Sequence, residues 1–216
     1  GDVLSVGMPR NDFLITNSGE VGHVKKHYSI PPENVLVLHA PTFRENIDQP
    51  GCDLDYQTLI RTVEKKYNRK CTVAVRLHHK VRGLDLVDKS VVVDMSDYHD
   101  MQELLNEADV LITDYSSSMW DFSLTLKPCY IFAPDVGEYI QERDFYTPIE
   151  QWPFPFASTF EELVDNILQF DQHQYERDIR NHHNALGSYE SGCATAAVSE
   201  YILRRCFSKD SKRGRM

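Results

Sequence analysis

Short apolar runs of strand length alternate along this chain with segments whose apolar residues recur at the helical period. The runs that predict strands are Val35 to Ala40, Thr72 to Leu77, Val91 to Met95, Val110 to Thr113 and Cys129 to Ala133. Between the first two runs, and again between the third and fourth, apolar residues lie three or four positions apart, as in helices that pack on a sheet. The pattern predicts an α/β fold with a Rossmann-like, doubly wound parallel sheet.

The residues after the fifth run predict an ordered loop and two further helices. Phe145 to Phe156 mixes prolines with aromatic residues, so it cannot form a regular helix, and its rings are expected to fill core rather than to stack on a nucleobase. Apolar periodicity predicts helices from Phe160 to Phe170 and from Ala194 to Cys206. The main domain is therefore expected to cover residues 30–207.

Both ends of the chain differ from this domain. Residues 1–29 begin with a short apolar run and are too few for a domain of their own, so we expect them to form an inter-domain segment. Residues 208–216 are basic and poor in apolar side chains, which predicts a disordered tail. Free solvation of this tail is favoured over contact with a lipid surface, and the second alternative stays open.

Polar side chains cluster directly after several of the predicted strands. Thr42 and Arg44 follow the first strand, His78 follows the second, and Asp114 to Ser118 follows the fourth. The carboxyl ends of the strands in a doubly wound sheet meet at one edge, and ligands bind there. We therefore expect these side chains to surround a single site.

The stretch from Asp109 to Asp121 carries the clearest indication of a ligand. An apolar strand ends at Thr113 and Asp114 and is followed by three serines that can open a helix, Ser116, Ser117 and Ser118. Serine at a helix N-terminus accepts hydrogen bonds from free backbone amides, and those amides together with the helix dipole attract anions. The sequence thus predicts a phosphate site. Asp114 either orients the loop through amide hydrogen bonds or contacts the ligand, and both roles stay open.

The composition narrows the class of protein. The 216 residues are 41% hydrophobic, which is enough for one sizeable core. The formal net charge is -10, so a basic surface that binds nucleic acid is not expected. The five cysteines contain no CxxC pair, which indicates a reducing, intracellular environment, and no apolar run has the length needed to cross a bilayer.

Several other functions lack their sequence motifs. The chain has no Walker-A loop, no GxGxxG fingerprint and no GxSxG elbow, which removes the basis for kinase, NAD-binding and serine-hydrolase functions. His182 and His183 are adjacent on a polar helical segment without nearby ligand residues. A metal site is therefore not expected there.

A set of segments spread along the chain resembles a known family. These segments are Gly7 to Asp12, His39 to Arg44, Arg76 to His78, Leu111 to Ser117, Asp135 to Tyr139, and Gly192. Over nearly its whole length the chain resembles the CDP-glycerol glycerophosphotransferase family of teichoic acid and capsule polymerases. The resemblance implies a GT-B architecture, in which two Rossmann-like halves face a cleft, and this chain resembles the C-terminal, nucleotide-donor half. The family's N-terminal half carries a catalytic histidine in a Trp-His-Gly-Thr-type motif that has no counterpart in this sequence.

The resemblance also implies roles for individual residues. Arg76 and His78 are implied as catalytic, and because they alternate along a strand their side chains leave the same face. The family has a proline where this chain has His79, to which we assign no role. Arg10 is either a hinge ion-pair residue, which is favoured, or a cleft residue. The residues implied to bind the donor are Thr42, Arg44, Thr113, Asp114, Ser116, Ser117, Ser118 and Gly192.

The reaction that the resemblance implies is transfer of a polyol phosphate, foremost glycerol phosphate, from a CDP-polyol to a hydroxyl of a growing teichoic-acid-like or capsular polymer. CMP is released. The expected partners are the CDP-polyol donor, a lipid-linked or polymeric acceptor and the missing N-terminal half. No cofactor and no essential protein-bound metal are expected, and the family implies a cytoplasmic protein that is peripheral at the inner face of the bacterial membrane. Residue spacing does not distinguish glycerol from ribitol.

Two alternative functions remain at this point. The first is the donor half of a GT-B glycosyltransferase that uses a UDP-sugar or CMP-sugar, which would share the sheet and the helix terminus. The second is a receiver-like module in which Asp114 is phosphorylated. Receivers need acidic residues at the end of their first strand to hold magnesium, and Val35 to Pro41 contains none, so this alternative is disfavoured.

Overall fold

The computed structural model describes residues 2–16, 22–42, 54–77, 88–142, 145 and 147–207. The strands in these ranges are β1 (Val35–Ala40), β2 (Cys71–Val75), β3 (Val93–Asp94), β4 (Val110–Thr113), β5 (Cys129–Phe132) and β6 (Phe156–Ala157). They form one six-stranded sheet in the order β3-β2-β1-β4-β5-β6, and neighbouring strands are parallel throughout. Because the order reverses between β1 and β4, the predicted doubly wound parallel sheet is confirmed.

The strand predictions match the structure to different degrees. β1 and β4 have the predicted bounds, whereas β2, β3 and β5 overlap their predictions but are shorter or shifted. The sequence does not predict β6, because its two residues lie at the end of the proline-rich stretch that is expected to be a loop. They join the sheet by pairing with Ile131 and Phe132 of β5, a contact between residues distant in sequence.

Helices cover both faces of the sheet. Those in the described residues are α1 (Asp12–Thr16), α2 (His23–His27), α3 (Tyr56–Tyr67), α4 (Met101–Glu107), α5 (Ser118–Ser123), α6 (Val136–Glu142), α7 (Phe160–Gln169), α8 (Gln172–Ala185) and α9 (Ala194–Phe207). The two predicted C-terminal helices appear as α7 and α9 and differ from the predictions only at their last residues. None of the described helices combines the length and the apolar character required to cross a bilayer.

Alternate residues of the central strands contribute to two separate hydrophobic layers. Leu36 and Leu38 of β1 pack in the layer that includes Leu104 of α4. Val35 and Val37 belong to the other layer, together with apolar side chains of α3 and α7. Every residue of β1, β4 and β5 is buried, as expected for strands with helices on both sides.

The N-terminal segment packs on this domain within the described residues. Leu14 and Val24 are buried in the layer that contains Leu36. The Asp12 carboxylate accepts hydrogen bonds from the backbone N–H groups of Ala194 at 2.9 Å and Thr195 at 2.7 Å, so it satisfies free amides at the start of α9. The predicted boundary at residue 29 stays a prediction, and the predicted tail, residues 208–216, lies outside the described residues.

Candidate functional site

Asp114 joins the loops after β1 and β4 at the point where the strand order reverses. It is 2% exposed, and both of its carboxylate oxygens accept from the Thr42 N–H at 3.0 Å. The Thr42 hydroxyl donates to Oδ2 at 2.9 Å, and the Tyr115 N–H donates to Oδ1 at 2.7 Å. These hydrogen bonds to a charged group hold the two loops together, which favours the orienting role for Asp114.

Thr113 supports the same junction from below. It is fully buried, and its hydroxyl donates to the Ala40 carbonyl at 2.7 Å, across the adjacent ends of β4 and β1. Thr42 and Thr113 are thus bound to protein groups in this structure. Their contact with a donor stays a prediction.

The serine turn opens α5 in a different way from the one expected. Ser117 is the N-cap residue, but its side chain makes no capping hydrogen bond and the residue is exposed. Ser116 Oγ instead accepts from the Ser118 N–H at 3.3 Å and from the Ser118 hydroxyl at 2.9 Å. Within the described residues, the backbone N–H groups of Ser116 and Ser117 have no acceptor. These amides, together with the Ser117 hydroxyl, are therefore available to an anion.

This turn borders a pocket of about 830 Å³ beyond the carboxyl ends of the strands. Its walls come from the N-terminal segment, the residue after β2, the start of α4 and the start of α5. The lining residues are Pro9, Arg10, Phe13, Arg76, His99, Asp100, Met101, Gln102, Glu103, Ser116, Ser117, Ser118 and Asp121. The volume is in the range of small-molecule and cofactor sites.

Arg76 contributes a positive charge to this lining. Its backbone N–H donates to the His39 carbonyl at 2.9 Å, and its Nη2 donates to the Tyr98 carbonyl at 3.3 Å. The bond to Tyr98 holds the half-buried side chain near the start of α4. The structure therefore places Arg76 and the serine turn, which the sequence assigns to one site, around the same pocket.

Arg10 forms a two-point ion pair with Asp121 of α5. Nε donates to Oδ2 at 2.9 Å, and Nη2 donates to Oδ1 at 3.1 Å. These hydrogen bonds raise the pKa of the Arg10 guanidinium above its ordinary value. The sequence left open an ion pair or a position in the cleft, and the structure shows an ion pair that also lines the pocket.

Sequence reasoning missed the partners that fix Arg10. Asp121 follows Ser117 by about one helical turn, and this spacing could have signalled that both border the same pocket. Gln102 of α4 donates to Asp121 Oδ2 at 3.3 Å and to Asn11 Oδ1 at 3.1 Å. No local pattern points to Gln102, because its partners lie on other elements of the chain.

The segment after β5 contacts the residue that precedes the serines. The Tyr115 hydroxyl donates to Asp135 Oδ1 at 3.0 Å, and the Tyr115 ring stacks on Tyr139 with the ring centroids 3.8 Å apart. Phe145 stacks in turn on Tyr139 at 5.4 Å. Asp135 to Tyr139, one of the segments that carry the family resemblance, is therefore joined to the serine turn through Tyr115.

The structure places Gly192 outside the lining of this pocket. Its φ is +77°, and a side chain added there would meet the side chains of Ile15 and Thr16 at 3.1 Å, so the close approach at this glycine is to α1. The predicted role of Gly192 in donor binding stays a prediction. Arg44, His78 and His79 lie outside the described residues, and their predicted roles also stay predictions.

The adjacent histidines of α8 make separate contacts. The His182 ring stacks on Trp120 at 5.1 Å, and His183 Nε2 lies 2.8 Å from the Ser123 hydroxyl. Burial lowers the pKa of both histidines. In the part of the chain that the structure describes, no group of three or more His, Cys, Asp or Glu side chains could hold a metal ion.

Comparison with known proteins identifies the family. The sequence profile of CDP-Glycerol:Poly(glycerophosphate) glycerophosphotransferase matches residues 1–204. The chain belongs to this glycerophosphotransferase family. The fold agrees with the assignment: the solved structure of the wall teichoic acid polymerase TagF is 26% identical with a TM-score of 0.77, and the match covers 94% of this chain and 51% of that one. The expected Rossmann-like half of a GT-B fold is thereby confirmed.

The proteins to which the chain is similar include polymerases of two polyol phosphates. The teichoic acid poly(glycerol phosphate) polymerase of Bacillus subtilis is 32% identical over 82% of this chain and 25% of its own length. The teichoic acid poly(ribitol-phosphate) polymerase of Bacillus spizizenii is 30% identical over 82% of this chain and 29% of its own length. The chain thus spans less than a third of these two relatives and about half of the solved TagF chain.

Proposed function

We propose that this chain is the donor-binding half of an enzyme that transfers a polyol phosphate from a CDP-polyol to a hydroxyl of a teichoic-acid-like polymer. One observation carries the proposal within a family of this chemistry. The backbone N–H groups of Ser116 and Ser117 have no acceptor among the described residues, and they border a pocket lined by Arg76. Free amides at a helix start and a guanidinium are the groups that bind a diphosphate.

In the proposed reaction the acceptor hydroxyl oxygen attacks the phosphorus that carries the polyol. The bond from this phosphorus to the bridging oxygen breaks, CMP leaves with that oxygen, and a base takes the hydroxyl proton. No covalent enzyme intermediate is needed. The serine turn and Arg76 neutralise charge that builds on the departing phosphate, and His78 stabilises or protonates it.

The serine turn supplies, in this proposal, the positive field that a metal ion supplies in other folds. We therefore propose that donor binding requires no protein-bound metal and no further cofactor. Titration of the donor with and without EDTA tests this point. A loss of affinity with EDTA that Mg²⁺ restores would contradict it.

CDP-glycerol is the proposed donor, because the family is described by this substrate. CDP-ribitol is the specific alternative, since a poly(ribitol-phosphate) polymerase is among the similar proteins. We propose that the acceptor is a polymeric or lipid-linked polyol phosphate. We also propose that the enzyme acts at the inner face of the cell membrane. Sedimentation of the chain with vesicles of anionic lipid and with vesicles of neutral lipid tests the membrane proposal. A chain that binds neither kind of vesicle would contradict it.

A Ser116→Ala/Ser117→Ala double variant tests the role of the serine turn. We expect CDP-glycerol affinity to fall by about tenfold, because a hydrogen bond to a charged group contributes about 1.5–3 kcal/mol and the backbone amides remain. Ser199→Ala, an exposed serine on α9, is the matched control. Equal affinity for the double variant and the control, measured by isothermal titration, would remove the serine hydroxyls from the proposed phosphate site.

A further inference from the structure

Arg10 is held in the pocket with part of its hydrogen-bonding capacity unused. The bidentate pair with Asp121 uses the N–H of Nε and one N–H of Nη2. Within the described residues, Nη1 has no partner. Arginine carries five N–H donors in a planar fork, so the edge between Nη1 and Nη2 can grip a second bidentate acceptor. The Arg10 side chain is 48% exposed, whereas that of Asp121 is 11% exposed.

The loop that carries Arg10 is fixed on both sides. Asn11 is 3% exposed; its amide donates to Glu190 Oε1 at 3.0 Å and accepts from Gln102 at 3.1 Å. Glu190 also accepts from the Met8 N–H at 3.2 Å. Gly7 has a φ of +84°, and a side chain there would lie 2.7 Å from the Glu190 carboxylate. The guanidinium is therefore positioned before any ligand arrives, which reduces the entropy that binding would cost.

The pocket lining carries both positive and negative side chains. The described lining residues include the guanidinium groups of Arg10 and Arg76, and they also include the carboxylates of Asp100, Glu103 and Asp121. Like charges repel, so carboxylates in the lining disfavour a diphosphate in this pocket. An arginine that engages Asp121 with one edge can offer the other edge to the phosphate.

We propose that Arg10 is a phosphate-binding residue of the donor site, with its Nη1–Nη2 edge directed at the diphosphate while Asp121 holds its inner edge. This inference rests on the proposed donor function and extends it to the segment Gly7 to Asp12. Arg10 and Arg76, which are distant in the sequence, then bind one diphosphate together. The alternative is an ion pair that only holds the N-terminal segment on α5.

Phosphate-dependent binding separates these two roles. Arg10→Met is expected to lower the affinity for CDP by about 10- to 100-fold, the loss of one or two hydrogen bonds to a charged group. Cytidine, which lacks phosphate, should bind the variant and the unchanged chain equally. The CDP affinity of Arg10→Lys should lie between those of Arg10→Met and the unchanged chain, because lysine keeps the positive charge but lacks the planar fork of N–H donors. Arg177→Met, an exposed arginine of α8, controls for the change in net charge.

The double variant Arg10→Met/Asp121→Asn gives the decisive comparison. If Arg10 binds phosphate, removal of the Asp121 charge restores only part of the CDP affinity that Arg10→Met loses. If Arg10 only neutralises Asp121, the double variant regains the affinity of the unchanged chain, and the proposal is overturned. Equal CDP affinity of Arg10→Met and Arg177→Met would also overturn it. A general loss of structure in a variant would lower both its thermal unfolding temperature and its affinity for cytidine, so both are measured for each variant.

Inorganic pyrophosphate keeps this test independent of the proposed donor. If the unchanged chain binds pyrophosphate but no CDP-polyol, the proposed function fails, and weaker pyrophosphate binding by Arg10→Met still supports the role of Arg10. If pyrophosphate binds both chains equally, the role of Arg10 fails whatever happens with the donor. An unchanged chain that binds neither CDP nor pyrophosphate would overturn both proposals.

Discussion

At the scale of single residues, the buried Asp114 holds the loops after β1 and β4 together. Its carboxylate accepts from two backbone N–H groups and one hydroxyl, from Thr42 and Tyr115. We expect Asp114→Ala to lower the free energy of unfolding by about 1–3 kcal/mol, because it leaves buried donors without acceptors. Urea unfolding measures this loss. Asp165→Ala, an exposed carboxylate of α7, is the control, and equal stability of both variants would contradict the orienting role.

His39 gives the fold a pH dependence at the same scale. It is 1% exposed, its Nδ1 lies 3.0 Å from the Tyr56 hydroxyl, and burial lowers its pKa from 6.5 to about 3. Between these values the unfolded chain takes up a proton that the folded chain does not bind, so stability falls as pH falls. At pH 5 we expect this histidine to lower stability by about 2 kcal/mol relative to pH 7.

Urea unfolding of His39→Gln at both pH values tests this assignment. The variant should lose less stability between pH 7 and pH 5 than the unchanged chain does, since its side chain does not titrate. His173→Gln, which removes an exposed histidine of α8, controls for the substitution itself. An unaltered pH dependence in His39→Gln would show that other groups cause it.

At the scale of elements, Asp12 caps α9 from a distant part of the sequence. The start of α9 has its first amides satisfied by this carboxylate rather than by a neighbouring residue. Asp12→Ala should lower stability by about 1 kcal/mol, the usual effect of losing a cap, and should speed amide exchange in the first turn of α9. Glu161→Ala, an exposed acid in the first turn of α7, is the control. Unchanged exchange in α9 would contradict the capping role.

The elements also show where sequence reasoning reaches its limit. The sequence predicts β1 and β4 with their observed bounds, because a parallel strand covered on both faces is a continuous apolar run. β6 was missed, since its strand character comes from pairing with β5 and not from its own residues. The same limit applies to the site. The serine turn and Arg76 were predictable from strand ends, whereas the Arg10–Asp121 pair joins residues that only the folded chain brings together.

At the scale of the whole molecule, the proposed function assigns to this chain the binding of the donor. It spans 51% of the solved TagF chain to which it is similar. We therefore expect the isolated chain to bind a CDP-polyol without turning it over. Release of CMP in the presence of donor and a polyol-phosphate acceptor measures turnover. Sustained CMP release by this chain alone would contradict the proposal that it supplies only the donor-binding half.

Isothermal titration of the unchanged chain with CDP-glycerol, CDP-ribitol, CMP and UDP-N-acetylglucosamine in one buffer tests the central claim most directly. The proposed donor function predicts that a CDP-polyol binds more tightly than the UDP-sugar, and the tighter of the two CDP-polyols names the polyol. Binding of the UDP-sugar alone would contradict the claim and would identify the chain as half of a glycosyltransferase.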